Sequence, residues 1–276
     1  MSRIITDSCC DATPDMKKEM GMVSMPLTMT LGDKEFRDDE DLDMKGFMDE
    51  LEGFTGKVAS ASPTPFLYQE AIEAADEAYV LTLSSKLSAS YSNAVVGNTQ
   101  AKENGKGAAH IFDSKSAAAG ETLIAIKLHE LIRDGIPKER IIESVNRFIN
   151  GMKTYFVLEN YDNLQKNGRL RKVVGSLLRI LNIKLIMGAD GNGEIDLFEK
   201  CRGTKQMVQQ LLSLIENSGR EQRNESFVIS HCNNLNLAEY LKTLIKERFK
   251  FKKIYIVPAS GITTLYADNK GIVLAF

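Results

Sequence analysis

The stretch Tyr79-Val80-Leu81-Thr82-Leu83, followed by Ser84-Ser85-Lys86-Leu87-Ser88-Ala89-Ser90, decides the fold class. The first five residues read as a strand buried on both faces, and the serines after it open a helix from Ser88 to about Lys102. His110-Ile111-Phe112 is a second such strand, ending at Asp113-Ser114. Leu123, Ile124, Leu128, Leu131 and Ile132 then share one helical face, closed by Gly135. Pro137 opens another helix, with Ile141, Ile142, Val145, Phe148 and Ile149 inward. Short apolar strands separated by amphipathic helices imply βαβ units and a parallel sheet covered on both faces.

Working back from this core, Ile4-Ile5-Thr6 is a short strand ending at Asp7-Ser8. Val23, Met25, Leu27, Met29 and Leu31 alternate with Ser24, Pro26, Thr28 and Thr30, the period of a half-buried strand. Pro26 places that strand at an edge or a bulge. Gly32-Asp33 breaks the run, and Lys34 to Arg37 returns as a hairpin. Asp38-Asp39-Glu40-Asp41 precedes Met44, Phe47, Met48 and Leu51 at helical spacing. That acidic run reads as a solvated helix start, where the dipole favours negative charge, in preference to a calcium site.

The pattern changes after about residue 150. Lys184 to Met187, Gly188 to Gly193 and Glu194 to Phe198 read as strand, Gly-rich turn and strand. Asp190-Gly191-Asn192-Gly193-Glu194 resembles half of a calcium loop, but Cys201 stands where its twelfth-position glutamate belongs, so it is read as a turn. A helix through Met207 to Ile215, a strand at Phe227 to Ile229, a helix from Leu235 to Phe249 and strands at Ile254 to Val257 and Gly271 to Phe276 complete the chain. The expected architecture is two α/β domains. Residues 1–152 carry a parallel sheet, and residues 153–276 a mixed or antiparallel one.

Composition narrows the function. The 276 residues are 43% hydrophobic and 26% charged, with a formal net charge of −2. Nothing basic enough for a nucleic-acid binder is present. No apolar run nears the ~20 residues of a membrane span, and the first residues lack the core of a signal peptide. Four cysteines do not make a disulfide framework in this length. A cytoplasmic protein is expected.

The sequence has no GxGxxG after its first strand, no GxxxxGK[ST], no HExxH and no CxxC. His110 and His129 read as structural, whereas His231 ends a strand, where α/β proteins place functional groups. Cys9 and Cys10 follow the first strand without a spacing motif, so buried thiols are expected. Thr6-Asp7-Ser8, Ser84 to Ser90 and Asp113-Ser114 each follow a strand and should gather at one rim of the sheet. Ser88 is placed as an N-cap, beside outward amides that suit a phosphate or carboxylate. Simple capping is the competing reading.

At this point the chain resembles a family. Thr6-Asp7-Ser8-Cys9-Cys10-Asp11 resembles the TDSxxD opening of the DegV proteins, bacterial fatty-acid-binding proteins. Pro26-Leu27 and Ser60-Ala61-Ser62-Pro63-Thr64-Pro65 follow in order, the latter in place of TSxPSP. Leu87-Ser88-Ala89-Ser90-Tyr91 is similar to LSGTY, and Asp113-Ser114-Lys115 to the DS segment. Asn160 to Leu170 is similar to LxxLxxGGRI, Leu181 to Ile186 to LNIKPIL, and Lys200-Cys201-Arg202-Gly203 to KxRG.

The resemblance implies two α/β domains that bury an acyl chain, with its carboxylate held at the Ser60-Ala61 and Ser88 turns. It implies a long-chain fatty acid as ligand and no cofactor, metal or catalytic residue. It also implies a separate dihydroxyacetone-kinase-like fatty acid kinase that converts the presented carboxylate to an acyl phosphate, with no nucleic acid and at most transient contact with a membrane surface. Arg169, in a polar turn expected to be exposed, would meet the kinase. The chain departs from the pattern where the family's Thr-Ser pair is Ser60-Ala61, and where the His of a C-terminal HTGPG stretch falls on Tyr266 or Ala267. Tyr266 can donate a hydrogen bond but supplies no cation.

Burying a methylene gains ~0.8 kcal/mol, so roughly 15 of them offer about 12 kcal/mol before ordering costs. The head group then needs only hydrogen bonds where it leaves water. Two rivals stand beside this reading. One is an enzyme acting on a small phosphorylated or acidic metabolite with Asp7, Ser88 and His231; the other is a lipid-dependent regulator without a kinase.

Overall fold

The computed structural model describes residues 2–170, 183–220 and 224–276. β1 (Ser2–Asp7) leads through α1 (Pro14–Met20) into β2 (Met22–Met25), which pairs with β1 in parallel. The alternating run from Val23 to Leu31 is two strands in two sheets, not one. β3 (Thr28–Leu31) pairs antiparallel with β4 (Lys34–Arg37), the expected hairpin, and with β5 (Val58–Ala61). The break falls at Pro26, which has no N–H to continue a ladder. Beside it the Leu27 amide turns to donate to Ser8 Oγ at 3.1 Å. α2 (Met44–Leu51) lies between β4 and β5, its first turn capped by Asp43.

After α3 (Pro65–Glu73), β6 (Glu77–Thr82), α4 (Ser90–Glu103) and β7 (His110–Asp113) complete a parallel sheet of order β2-β1-β6-β7. α3 and α4 cross so closely at Gly97 that a Cβ there would lie 2.4 Å from the Pro65 carbonyl oxygen. The next helix, α5 (Ala119–Arg133), is buried on every face from Ala119 to Ile126. Such a segment, apolar but for Glu121 and Thr122, belongs in a core.

α6 (Lys138–Gly151), β8 (Thr154–Val157) and α7 (Asp162–Lys166) follow. The hairpin β9 (Ile183–Ala189) and β10 (Ile195–Arg202) closes through the expected Gly-rich turn, in which Asp190 Oδ1 accepts from the Asn192 and Glu194 amides at 2.8 and 3.1 Å. α8 (Gly203–Glu216), β11 (Ser226–His231), α9 (Leu235–Arg248), β12 (Lys253–Pro258), α10 (Gly261–Ala267) and β13 (Ile272–Ala275) end the chain. The second large sheet has the order β10-β9-β8-β13-β11-β12, antiparallel except for β11 with β12. The fold class is therefore the expected one: an α/β chain with a parallel N-terminal sheet and a mixed C-terminal sheet.

α5 lies between these sheets, in one apolar cluster with Ile4 and Leu81 from the first and Val228 and Val273 from the second. Two N-terminal carboxylates also reach across to the start of α10. Asp38 accepts from the Gly261 and Ile262 amides at 2.8 and 3.1 Å, and Asp11 from the Ser260 amide at 2.8 Å and the Thr263 hydroxyl at 2.9 Å. Asp38 is thus buried, not part of a solvated helix start. Among the described residues no helix is long and apolar enough to cross a membrane.

Candidate functional site

Three turns at the carboxyl ends of β1, β6 and β7 converge, as the strand-end serines suggested. Asp7 stitches the first two, accepting from the Cys9 amide at 3.1 Å and the Leu83 amide at 2.9 Å. The Ser84 amide donates to the Ser116 carbonyl at 2.8 Å, joining the second turn to the third. Ser84 Oγ donates to the Gly193 carbonyl at 2.7 Å, which brings the β9–β10 turn over the same rim. Gly193 has φ 93°, and a Cβ there would lie 2.3 Å from Ser84 Oγ, so this approach requires glycine.

Beneath these turns is a cavity walled chiefly by apolar side chains that include Leu27, Leu83, Phe156, Leu158, Ile195 and Ile262. They come from the link between β2 and β3, the turn after β6, β8 and the residue that follows it, β10, and α10.

Polar side chains of the wall include Ser60, Ser88, Arg169 and Tyr266, with Lys115, Ser116, Thr154, Glu194 and Thr263 also lining it. Ser60 on β5 and Tyr266 on α10 place their hydroxyls 2.8 Å apart. The Arg169 guanidinium lies over the Tyr266 ring, 5.2 Å from its centroid, and donates through Nε to the Leu87 carbonyl at 3.2 Å and through Nη1 to the Asn167 carbonyl at 2.9 Å. Ser88, next to Leu87, lines the cavity with all three. Each of the four is half-buried. Hydroxyls, a guanidinium and an apolar cavity together suit an amphiphile with an anionic head.

The sequence expectations fare unevenly here. Ser60, Ser88 and Tyr266 come together, but Ala61 is exposed and does not line the cavity. Ser88 is not the N-cap: α4 starts at Ser90 with Ala89 as the cap residue, and Ser88 Oγ accepts from the Ser90 amide at 3.2 Å. Arg169 is folded onto Tyr266 instead of standing free in an exposed turn, because two carbonyls and an aromatic face draw the guanidinium inward. His231 does not line the cavity; its Nδ1 accepts from the Asn234 amide at 3.3 Å, and partial burial lowers its pKa. The arrangement of Asp7, Ser88 and His231 around one substrate is therefore not formed. Leu181 and Asn182, the start of the LNIKPIL match, lie outside the described residues.

Two thiols expected to be buried are so, Cys9 at the cavity wall and Cys10 behind it, and burial pushes both well above the ordinary thiol range. Such thiols are poor nucleophiles. Asp7 and Asp11 are fully buried, and desolvation raises each to about 6 against their amide and hydroxyl donors. Sequence reasoning missed Glu121 on α5, fully buried close to Asp7 and Cys9. The signal was a lone carboxylate in the stretch from Ala117 to Ile126, whose one other polar side chain is Thr122.

A family model described as an uncharacterised protein of the DegV family matches residues 1–276. A DegV domain-containing protein of Streptococcus pyogenes serotype M1 is 31% identical over 277 residues, covering 99% of this chain and 98% of that protein. Among solved structures, a DegV family protein from Ruminococcus gnavus, determined with vaccenic acid, is 36% identical with a TM-score of 0.94, covering 100% of this chain and 99% of that one. The fatty acid kinase B3 protein of Streptococcus pneumoniae, loaded with linoleic acid, is 31% identical with a TM-score of 0.92 over the same shares.

Proposed function

The chain belongs to the DegV family, and from that premise we propose that it binds a long-chain fatty acid and presents the carboxylate to a partner kinase. The observation that carries this reading is the apolar cavity lined by Ser60, Ser88, Tyr266 and Arg169, in which the Ser60 and Tyr266 hydroxyls meet and Arg169 covers the Tyr266 ring. The acyl chain takes the apolar part. The carboxylate replaces the Ser60–Tyr266 hydrogen bond with bonds from both hydroxyls, and Ser88 adds a third donor. Arg169 supplies the positive charge that the tyrosine lacks.

The chain itself performs no bond chemistry in this scheme. A dihydroxyacetone-kinase-like partner transfers a phosphoryl group onto a carboxylate oxygen, giving the acyl phosphate. This protein's work is to solubilise the chain and hold the acid where the kinase reaches it. The absence of an assembled Asp7–Ser88–His231 constellation favours carriage over metabolite chemistry.

Native mass spectrometry of the protein purified from cells tests the first half. A retained adduct of acyl mass is expected, and an empty chain that also fails to take up added fatty acid would overturn it. Incubation of the loaded protein with a fatty acid kinase and a nucleoside triphosphate tests the second, with acyl phosphate as the product sought. Binding without phosphorylation would leave a carrier and remove the kinase role.

A further inference from the structure

Glu121 is fully buried in α5, and neither of its carboxylate oxygens has a hydrogen-bond partner. A carboxylate oxygen of Asp7, the Cys9 Sγ and a carboxylate oxygen of Glu121 all lie within 4.8 Å of one another. The titratable groups around Glu121 are Asp7, Cys9, Cys10 and Asp11 on β1 and the turn after it, with Tyr68 on α3. The other elements packed on α5 offer apolar side chains, such as Val145 from α6, Val228 from β11 and Ala275 from β13. Tyr79 of β6 belongs to the same cluster, but the carboxylates acting on it are Glu77 and Glu139. Among the described residues no ion pair reaches either carboxyl.

We propose that Asp7 and Glu121 share one proton, that Glu121 carries it at neutral pH, and that the pair positions the cavity wall. Two ionised carboxylates at this spacing, without a cation and out of water, repel strongly, so such a pair retains a proton. Its location follows from the donors. Asp7 already accepts two backbone amides, which stabilise its charged form, whereas Glu121 accepts none. Protonated Glu121 becomes a donor and can bond to Asp7, removing the orphaned charge. Burial and the neighbouring Asp7 push Glu121 in that direction, well above the ordinary carboxylate range.

The consequence reaches the cavity through Asp7. Its two amide partners belong to Cys9 and Leu83, both of which line the cavity. The proton on Glu121 thereby holds the β1 and β6 turns in register at the cavity wall. Glu121 is a positioning residue and touches no reacting atom.

The sign of the pH effect follows from the raised affinity for the proton. Stability from the shared proton is complete at acid pH and is lost as pH rises through the value for the folded pair. Glu121→Gln keeps the volume and supplies a permanent N–H donor. Its melting temperature should match the wild type at acid pH and exceed it increasingly at alkaline pH. Isotope-edited infrared spectra of wild-type protein carrying ¹³C-labelled glutamate need no variant. They should show a carboxylic-acid C=O band at neutral pH, and the band should be absent from Glu121→Gln. Parallel melting profiles, or no protonated glutamate band in the wild type, would overturn the proposal. So would a stoichiometric metal ion in the purified protein that is lost with Glu121→Gln. None of these readings depends on a fatty acid being bound.

Discussion

The Tyr266 hydroxyl lies 2.8 Å from the Ser60 hydroxyl, joining the last helix of the chain to the small N-terminal sheet across the wall of the cavity. The two residues are 206 positions apart. A carboxylate entering between them exchanges one neutral hydrogen bond for two charge-assisted ones. Tyr266→Phe and Ser60→Ala should therefore each weaken fatty-acid retention, and so should Ser88→Ala. The expected loss is about 1–3 kcal/mol apiece, the range for a hydrogen bond to a charged group. Titration with a fluorescent fatty acid checks it, and unchanged affinity in all three variants would remove the head-group assignment.

Arg169 gives a sharper prediction because its environment is now specified. Its guanidinium donates to the Leu87 and Asn167 carbonyls and covers the Tyr266 ring. Arg169→Ala should lower fatty-acid affinity and kinase-dependent acyl-phosphate formation together, each by about tenfold or 1.4 kcal/mol. Arg169→Lys keeps the charge but cannot reproduce the planar fork, so it should rescue only in part. Both assays on one preparation decide the matter. A variant with full lipid affinity and no phosphorylation would mean that Arg169 serves the kinase alone.

The parallel sheet was legible because β6 and β7 are apolar runs bounded by hydroxyl-rich turns. Of the cavity-lining residues named from the sequence, Ser60 and Tyr266 came from the motif match alone, and Ser88 from its strand-to-helix turn as well. β5, Val58-Ala59-Ser60-Ala61, has no hydrophobic run; it exists because β3 pairs with it. α10 is rich in β-branched residues, which lowers its helix propensity. Its first amides are satisfied by the Ser260 cap and by Asp38 from far upstream. Such long-range partners leave no local period. Pro26 reads as marking an edge position or a bulge within one strand, and not as the switch between two sheets that it is, since alternation alone does not say which sheet a strand joins.

Asp11 makes stability depend on pH in a direction opposite to ordinary acid unfolding. Its folded pKa of about 6 exceeds the usual carboxylate value of ~3.9, with burial as the main cause. The group's contribution is present in full below about pH 4 and declines as pH rises toward about 6. Asp11→Asn removes that titration. It also replaces one of the two acceptor oxygens, of which one serves Ser260 and Thr263 and the other Ser230, by an amide donor, so the variant should be less stable throughout. The gap to the wild type should be widest at pH 4 and narrower at pH 7. Denaturant unfolding at several pH values measures this, and a gap that widens with pH would refute the sign.

Asp268, which ends α10 two residues after Tyr266, has φ 58° and ψ 179°, a region that glycine alone adopts easily. Two side-chain bonds compensate: Oδ1 accepts from the Asn269 amide at 2.7 Å and Oδ2 from the Asn160 amide group at 3.1 Å. Substitution separates the two effects. Asp268→Ala keeps the strained backbone and loses both bonds, so it should destabilise the fold by about 1–2 kcal/mol. Asp268→Gly loses the same bonds but relieves strain of order 1–3 kcal/mol, and should lie close to the wild type or above it. Fatty-acid affinity should follow the same order, because this turn sets where α10 ends and so where Tyr266 meets Ser60. Glycine less stable than alanine at this position would show that the turn is not strained.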